Sequence, residues 1–158
     1  MSEGGCSCGA VRYCLAAKPL IVHCCHCRDC QRITGSAFVV NLWIEREHVQ
    51  LLSGEPTSFE LKGGSGKPHT VFFCGKCGSH VWSKYHRAPG DTVLLRAGTL
   101  DDPSQVTPDV HIFTRSKLPW VKLPEGARVF EAFYNPAEVW PPESLARWRR
   151  NMERRSTQ

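Results

Sequence analysis

The sequence predicts a mainly β domain built around metal-binding cysteines. Three observations support this. About eight short runs of alternating or apolar residues are separated by frequent turn signals, as in a β-rich architecture. Only one stretch, 141–155, is long enough to read as an extended helix, with Pro141 and Pro142 near its first turn. Nine cysteines are present, and seven of them fall into a two, three, two order along the chain.

The central group organises the rest. It lies in His23-Cys24-Cys25-His26-Cys27-Arg28-Asp29-Cys30. Cys25, Cys27 and Cys30 have a C-x-C-x-x-C spacing that lets three thiolates converge on one ion from a single turn. The residues from Arg28 to Thr34 read as one or two helical turns stopped by Gly35, and such a turn points Cys27 and Cys30 to the same side. Before this group lies Gly4-Gly5-Cys6-Ser7-Cys8-Gly9, read as a glycine-rich turn. After it lies Cys74-Gly75-Lys76-Cys77-Gly78, a knuckle whose Gly78 can take a positive φ. Structural zinc uses four protein ligands, whereas catalytic zinc uses three and leaves one position open. Seven grouped thiolates therefore suggest one closed and one open site. Zinc is favoured over an iron–sulfur cluster because separated knuckles suit mononuclear sites.

The fourth ligand of the central ion stays open on this reading. Cys24, His23, His26, a distant residue, water or a substrate thiol could supply it. Consecutive side chains diverge, which argues against Cys24 and His26 joining Cys25 and Cys27 in one tetrahedron. An open position is the favoured reading.

The remaining strands follow in order. Residues 10–14 alternate, with Cys14 read as a small buried hydrophobe. Residues 36–43, 49–52 and 58–61 come next. The glycine-rich stretch 62–68 reads as a hairpin loop, since no strand-to-helix frame marks it as a phosphate loop. Residues 69–73, 79–85, 92–97 and 110–113 complete the set. Phe38, Trp43, Trp82 and Trp120 are expected to pack the core. His80, His86 and His111 are candidates for acid–base steps, and Arg28 and Asp29 either orient substrate or pair with each other. Residues 1–140 form the expected zinc-binding domain and 141–158 a basic helical tail.

Composition excludes several classes. The 158 residues are 41% hydrophobic and 22% charged, which is ordinary for a folded domain. The net charge of +5 is concentrated in Arg147, Arg149, Arg150, Arg154 and Arg155, a pattern expected of a solvated helix face. A basic tail without a recognisable module counts against a nucleic-acid partner. The start, Met1-Ser2-Glu3-Gly4-Gly5, carries no charged, apolar leader, and no stretch is apolar enough to span a membrane. The expectation is a cytoplasmic chain with reduced cysteines.

Several motifs carry a resemblance. Gly5-Cys6-Ser7-Cys8-Gly9-Ala10-Val11 opens the series. Cys25-His26-Cys27-x-x-Cys30 with Thr34-Gly35-Ser36-Ala37-Phe38 comes next, and Phe73-Cys74-x-x-Cys77-Gly78-Ser79 follows. Together they resemble the glutathione-dependent formaldehyde-activating enzyme family, which also includes centromere protein V-like proteins. Gly98-Thr99-Leu100-Asp101-Asp102-Pro103, Val110-His111-Ile112 and the stretch from Lys117 to Trp120 are similar to its C-terminal half. The resemblance implies an Mss4-like β-tent of short antiparallel strands holding two zinc ions. It implies that Cys6, Cys8, Cys74 and Cys77 hold a structural zinc, and that Cys25, Cys27 and Cys30 hold a catalytic one. It further implies a carbon–sulfur lyase or synthase that joins a small thiol such as glutathione to an aldehyde, as in S-hydroxymethylglutathione. The rival expectation is a non-catalytic, zinc-stabilised module that binds a protein or nucleic acid. Oligomeric state is not legible.

Overall fold

The computed structural model describes residues 2–88 and 90–156, with side chains as far as Arg154. Met1, Thr157, Gln158 and the side chain of Arg155, all included in the expectations above, lie outside the described residues.

The architecture is mainly β, as expected. Among the described residues ten strands form two sheets, with helices at the central cysteine group and near the C-terminus. The smaller sheet orders β1 (Ser2–Gly5), β2 (Arg12–Leu15) and β5 (Val49–Ser53), all antiparallel. The larger sheet contains β3 (Ile21–Cys25), β4 (Val39–Glu45), β6 (Thr57–Lys62), β7 (Pro68–Phe73), β8 (His80–Tyr85), β9 (Thr92–Arg96) and β10 (Val110–Ile112). Its spatial order is β10-β3-β4-β9-β8-β7-β6, antiparallel except for the parallel β10–β3 pair. The helices are α1 (Arg28–Thr34), α2 (Pro136–Val139) and α3 (Pro142–Ser156).

Local chemistry explains most boundaries. Cys27 caps α1, and Gly35 ends it. The glycine-rich loop after β6 closes the β6–β7 hairpin, with the Gly63 amide bonded to the Lys67 carbonyl at 2.9 Å. β3 is buried along its whole length because β4 and β10 flank it and side chains pack both faces, so it reads as a continuous run rather than an alternation.

Two details depart from expectation. Gly4 and Gly5, read as part of a turn, extend β1 instead. A Cβ at Gly4 would lie 2.4 Å from the Thr99 carbonyl oxygen, so glycine lets this strand pack against the Tyr13 ring and the Thr99 backbone. Trp120 is 71% exposed and Phe38 lies at the surface, while Trp43 and Trp82 are buried as expected.

Two apolar clusters fill the interior. One gathers Tyr13, Ile44, Trp82 and Leu95 and includes Cys6 and Cys74. The other gathers Trp43, Ile112, Tyr134 and Trp140 and includes Cys25 and Cys30. Leu145 and Trp148 of α3 pack against the second cluster. The expectation of a fully solvated arginine face fails at Arg147. Its guanidinium makes a two-pronged contact with the buried Glu45 carboxylate, at 3.1 and 2.6 Å, and also donates to the Lys18 carbonyl. A buried carboxylate requires such a partner.

Candidate metal centres and adjoining cleft

Two hairpin turns, far apart in sequence, meet to form the first cysteine group. Cys6 and Cys8 sit between β1 and β2, and Cys74 and Cys77 sit between β7 and β8. The four sulfurs lie within 4.8 Å of one another. Sγ of Cys8 is 3.5 Å from Cys6 and 3.8 Å from Cys74. Zinc–sulfur bonds of about 2.3 Å give a tetrahedral sulfur–sulfur edge of about 3.8 Å, so the donor set suits a closed four-thiolate site. Second contacts fix the turns. The Val11 amide donates to Cys6 Sγ at 3.2 Å, and the Ser7 amide donates to Ser79 Oγ at 3.1 Å. Gly78 takes φ 72°, the left-handed conformation that lets its amide reach back to the Cys74 carbonyl at 2.8 Å. The Ser79 hydroxyl, hydrogen-bonded to Cys77, holds that thiol down to about 5.

The second group is local in sequence and lies deeper. Cys25 ends β3, Cys27 caps α1 with an extended backbone, and Cys30 sits one turn in. Their sulfurs also lie within 4.8 Å of one another. Hydrogen bonds from the Cys25 and Cys30 thiols push Cys27 strongly downward, and the Cys30 amide adds to this at 3.4 Å. Sharing a hydrogen bond with Cys27 raises Cys25 well above the ordinary thiol value. Three thiols held this close favour deprotonation once a cation is present. Cys24 and His26 do not join this set.

Arg96 stands behind the triad and was not singled out by sequence reasoning. It is 5% exposed and donates to Asn41 Oδ1, to Ser83 Oγ at 2.9 Å and to His80 Nε2 at 3.1 Å. Burial lowers its pKa, while the charges of Cys30, Cys25 and Cys27 favour its protonated form. A buried guanidinium beside three potential thiolates balances charge that the interior would otherwise not tolerate. The only sequence signal was a charged residue at the end of an apolar strand.

Other candidates fall differently. His80 is neutral, with its pKa lowered to about 3 by burial and by Arg96. It lines a cleft of about 340 Å³ with Arg32, Ile33, Phe59, Val71, Phe73 and Gly78, the last of these beside Cys77. Arg32 and Ile33 come from α1, the helix that carries Cys30. His86 is exposed and bonds the Thr70 hydroxyl at 2.9 Å. Arg28 and Asp29 do not pair: Arg28 donates to Gln31 Oε1, and Asp29 accepts the Gly64 amide at 2.6 Å, tying the 62–68 loop to α1. Cys14 is buried, as read, against Gln50. His111 lies beside His26 and Cys24 on the other side of β3 from the triad.

Comparison with known proteins gives the chain's relatives. The family model for the glutathione-dependent formaldehyde-activating enzyme matches residues 1–116. A Halomonas elongata protein, provisionally named a glutathione-dependent formaldehyde-activating enzyme, is 29% identical over 154 residues, covering 92% of each chain. A crystal structure of a Rhodobacter sphaeroides protein superposes with a TM-score of 0.49 at 16% identity, covering 81% of this chain and 98% of that one. No helix among the described residues is long and apolar enough to cross a membrane. Its ordered cysteine groups and the family match place the chain in the glutathione-dependent formaldehyde-activating enzyme family.

Proposed function

We propose that this protein is a cytoplasmic, two-zinc carbon–sulfur lyase or synthase, acting on a glutathione-like thiol and its aldehyde adduct. The family match and the name of the Halomonas relative support glutathione and formaldehyde as the chemistry to test first. One observation carries the reading. Cys25, Cys27 and Cys30 form a group of three, and no fourth Cys, His, Asp or Glu donor joins them among the described residues.

In this reading Cys6, Cys8, Cys74 and Cys77 hold a structural zinc, and Cys25, Cys27 and Cys30 hold a second with one position free for substrate sulfur. When bound there, zinc supplies a lowered thiol pKa and a fixed thiolate. The chain does the rest. Arg96 offsets the negative charge of the three cysteine thiolates, so that a fourth sulfur can approach. The apolar rings of Phe59 and Phe73 hold the body of the thiol substrate and keep water from its flank. Arg32 offers its guanidinium to a substrate carboxylate. His80 stays neutral and presents a polar ring edge rather than a charge. In the synthetic direction the sulfur–carbon bond forms as the carbonyl π bond opens. The thiol proton ends on the new hydroxyl oxygen through water, and the lyase direction reverses these steps.

Formation of S-hydroxymethylglutathione, followed by proton NMR, tests this. The protein should accelerate adduct formation from glutathione and formaldehyde above the uncatalysed rate. Arg32→Ala should raise KM for glutathione about tenfold, as loss of one charge-assisted contact does, with little change in kcat. A rate equal to that without protein, with both cysteine groups loaded, would favour a non-catalytic binding module.

A further inference from the structure

β3 presents successive residues to opposite faces, so the face used by Cys25 is not that of Cys24. His26 lies two residues beyond Cys24 and shares its side. The parallel pairing of β10 with β3 then sets His111 directly opposite Cys24. Three metal-ligating side chains therefore gather on the side of β3 away from the three-cysteine group. All three are buried, with exposures of 2% for Cys24, 0% for His26 and 8% for His111.

Their ligand atoms lie within 4.8 Å of one another. His26 Nε2 is 3.6 Å from Cys24 Sγ and 3.2 Å from His111 Nδ1. A single zinc ion with bonds of about 2.3 Å to sulfur and about 2.0–2.1 Å to nitrogen has tetrahedral edges of about 3.5 Å between sulfur and nitrogen. The edge between two nitrogens is about 3.3 Å. Both observed separations match.

Direct hydrogen bonding accounts for the cluster less completely. An imidazole nitrogen carries either one proton or one lone pair. His26 Nε2 faces both the Cys24 thiol and His111 Nδ1, and it can serve only one of them well. A cation placed among the three uses the sulfur and both nitrogen lone pairs at once.

We propose that, in addition to the two zinc ions of the cysteine groups, Cys24, His26 and His111 form a third metal site, for zinc(II), with its fourth position left to water or a small ligand. The site is a cross-strand staple. β10 is three residues long, sits at the sheet edge, and has β3 as its strand neighbour in the sheet. His111 also exchanges backbone hydrogen bonds at 2.8 Å with Arg128 and Phe130, so an ion held here fixes the 128–130 segment against β3 as well.

Zinc-edge anomalous diffraction from wild-type crystals, grown from protein purified without added zinc, tests the proposal. A peak bounded by Cys24, His26 and His111 is expected, separate from those at the two cysteine groups. In solution, wild-type protein should hold three zinc equivalents, and Cys24→Ser and His111→Gln two each. The double variant Cys24→Ser with Cys27→Ser should hold one. Peaks at the cysteine groups alone would overturn this site while leaving the proposed function intact. A third peak that appears only after soaking in millimolar zinc would mark an adventitious ion and also overturn it. Should the variants fail to fold, the wild-type crystal decides.

Discussion

The two cysteine groups differ in a way that reverses the usual link between burial and structural role. The four-cysteine group is partly at the surface, with Cys8 and Cys77 exposed, yet its donor set is complete. The three-cysteine group is mostly buried, yet it is one donor short. The first is assembled from two distant turns and is rooted in the Tyr13–Trp82 cluster. The second is assembled within six residues, is rooted in the Trp43–Trp140 cluster, and has the buried Arg96 beside it. A closed site can tolerate water at its rim, because its donors already saturate the ion. An open site needs shelter, since its reactivity depends on which ligand arrives. On the proposed reading, completeness of the thiolate set, rather than depth, separates the structural from the reactive cysteine group.

The sharpest way to break this comparison is to remove one thiolate from each group. Cys77→Ser should unfold the protein or lower its melting temperature by more than ten degrees, because binding at a closed site is coupled to folding. Cys27→Ser should lower zinc content by one equivalent and leave the far-ultraviolet circular dichroism nearly unchanged. Equal loss of thermal stability in both variants would erase the distinction.

A smaller effect tests what supports the three-cysteine half. Arg147 on α3 pairs with Glu45, which is only 2% exposed. Arg147→Ala leaves that carboxylate buried without its partner and should cost about 2 kcal/mol of stability in urea unfolding, less than the about 3–5 kcal/mol of a fully buried pair because the Arg147 side chain is partly exposed. The zinc of the four-cysteine group should be retained. A cost below about 0.5 kcal/mol would mean that α3 contributes little to this half.

The smallest effect concerns acid sensitivity. Burial lowers His69 from about 6.5 to about 4, with Arg96 adding to the shift. The unfolded chain therefore binds a proton more readily than the folded one, and stability falls as pH drops from 6.5 toward 4. At pH 5.5 the loss from this one group is about 1 kcal/mol. His69→Leu should flatten the stability–pH slope in this window. An unchanged slope would assign the acid sensitivity to other groups.

Much of this was legible in the sequence because it is local. The C-x-C-x-x-C spacing, the helix from Arg28 to Thr34 and its stop at Gly35 depend on neighbours a few residues away. The divergence of Cys24 and His26 from the triad follows from strand alternation alone. What stayed hidden depends on long-range pairing. His111 reaches Cys24 only because β10 adds to β3 in parallel, and nothing near residue 111 announces that partner. Arg96 looks like an ordinary charge closing a strand until β4 and β8 surround it with Asn41, Ser83 and His80. Trp120 misled because a large aromatic is expected inside, whereas its proline-bounded loop holds it in solvent. Arg147 was read as solvated because Glu45, its partner, is 102 residues away.

The central claim is that the three-cysteine centre accepts a substrate sulfur. Cobalt substitution followed by titration with glutathione tests it most directly, because sulfur-to-cobalt charge transfer reports each thiolate gained. The account predicts that glutathione increases this absorption in the wild-type protein and that Cys25→Ser abolishes the increase, since a thiolate is a softer ligand than the water it displaces. A spectrum that glutathione leaves unchanged, in protein loaded at both cysteine groups, would contradict it.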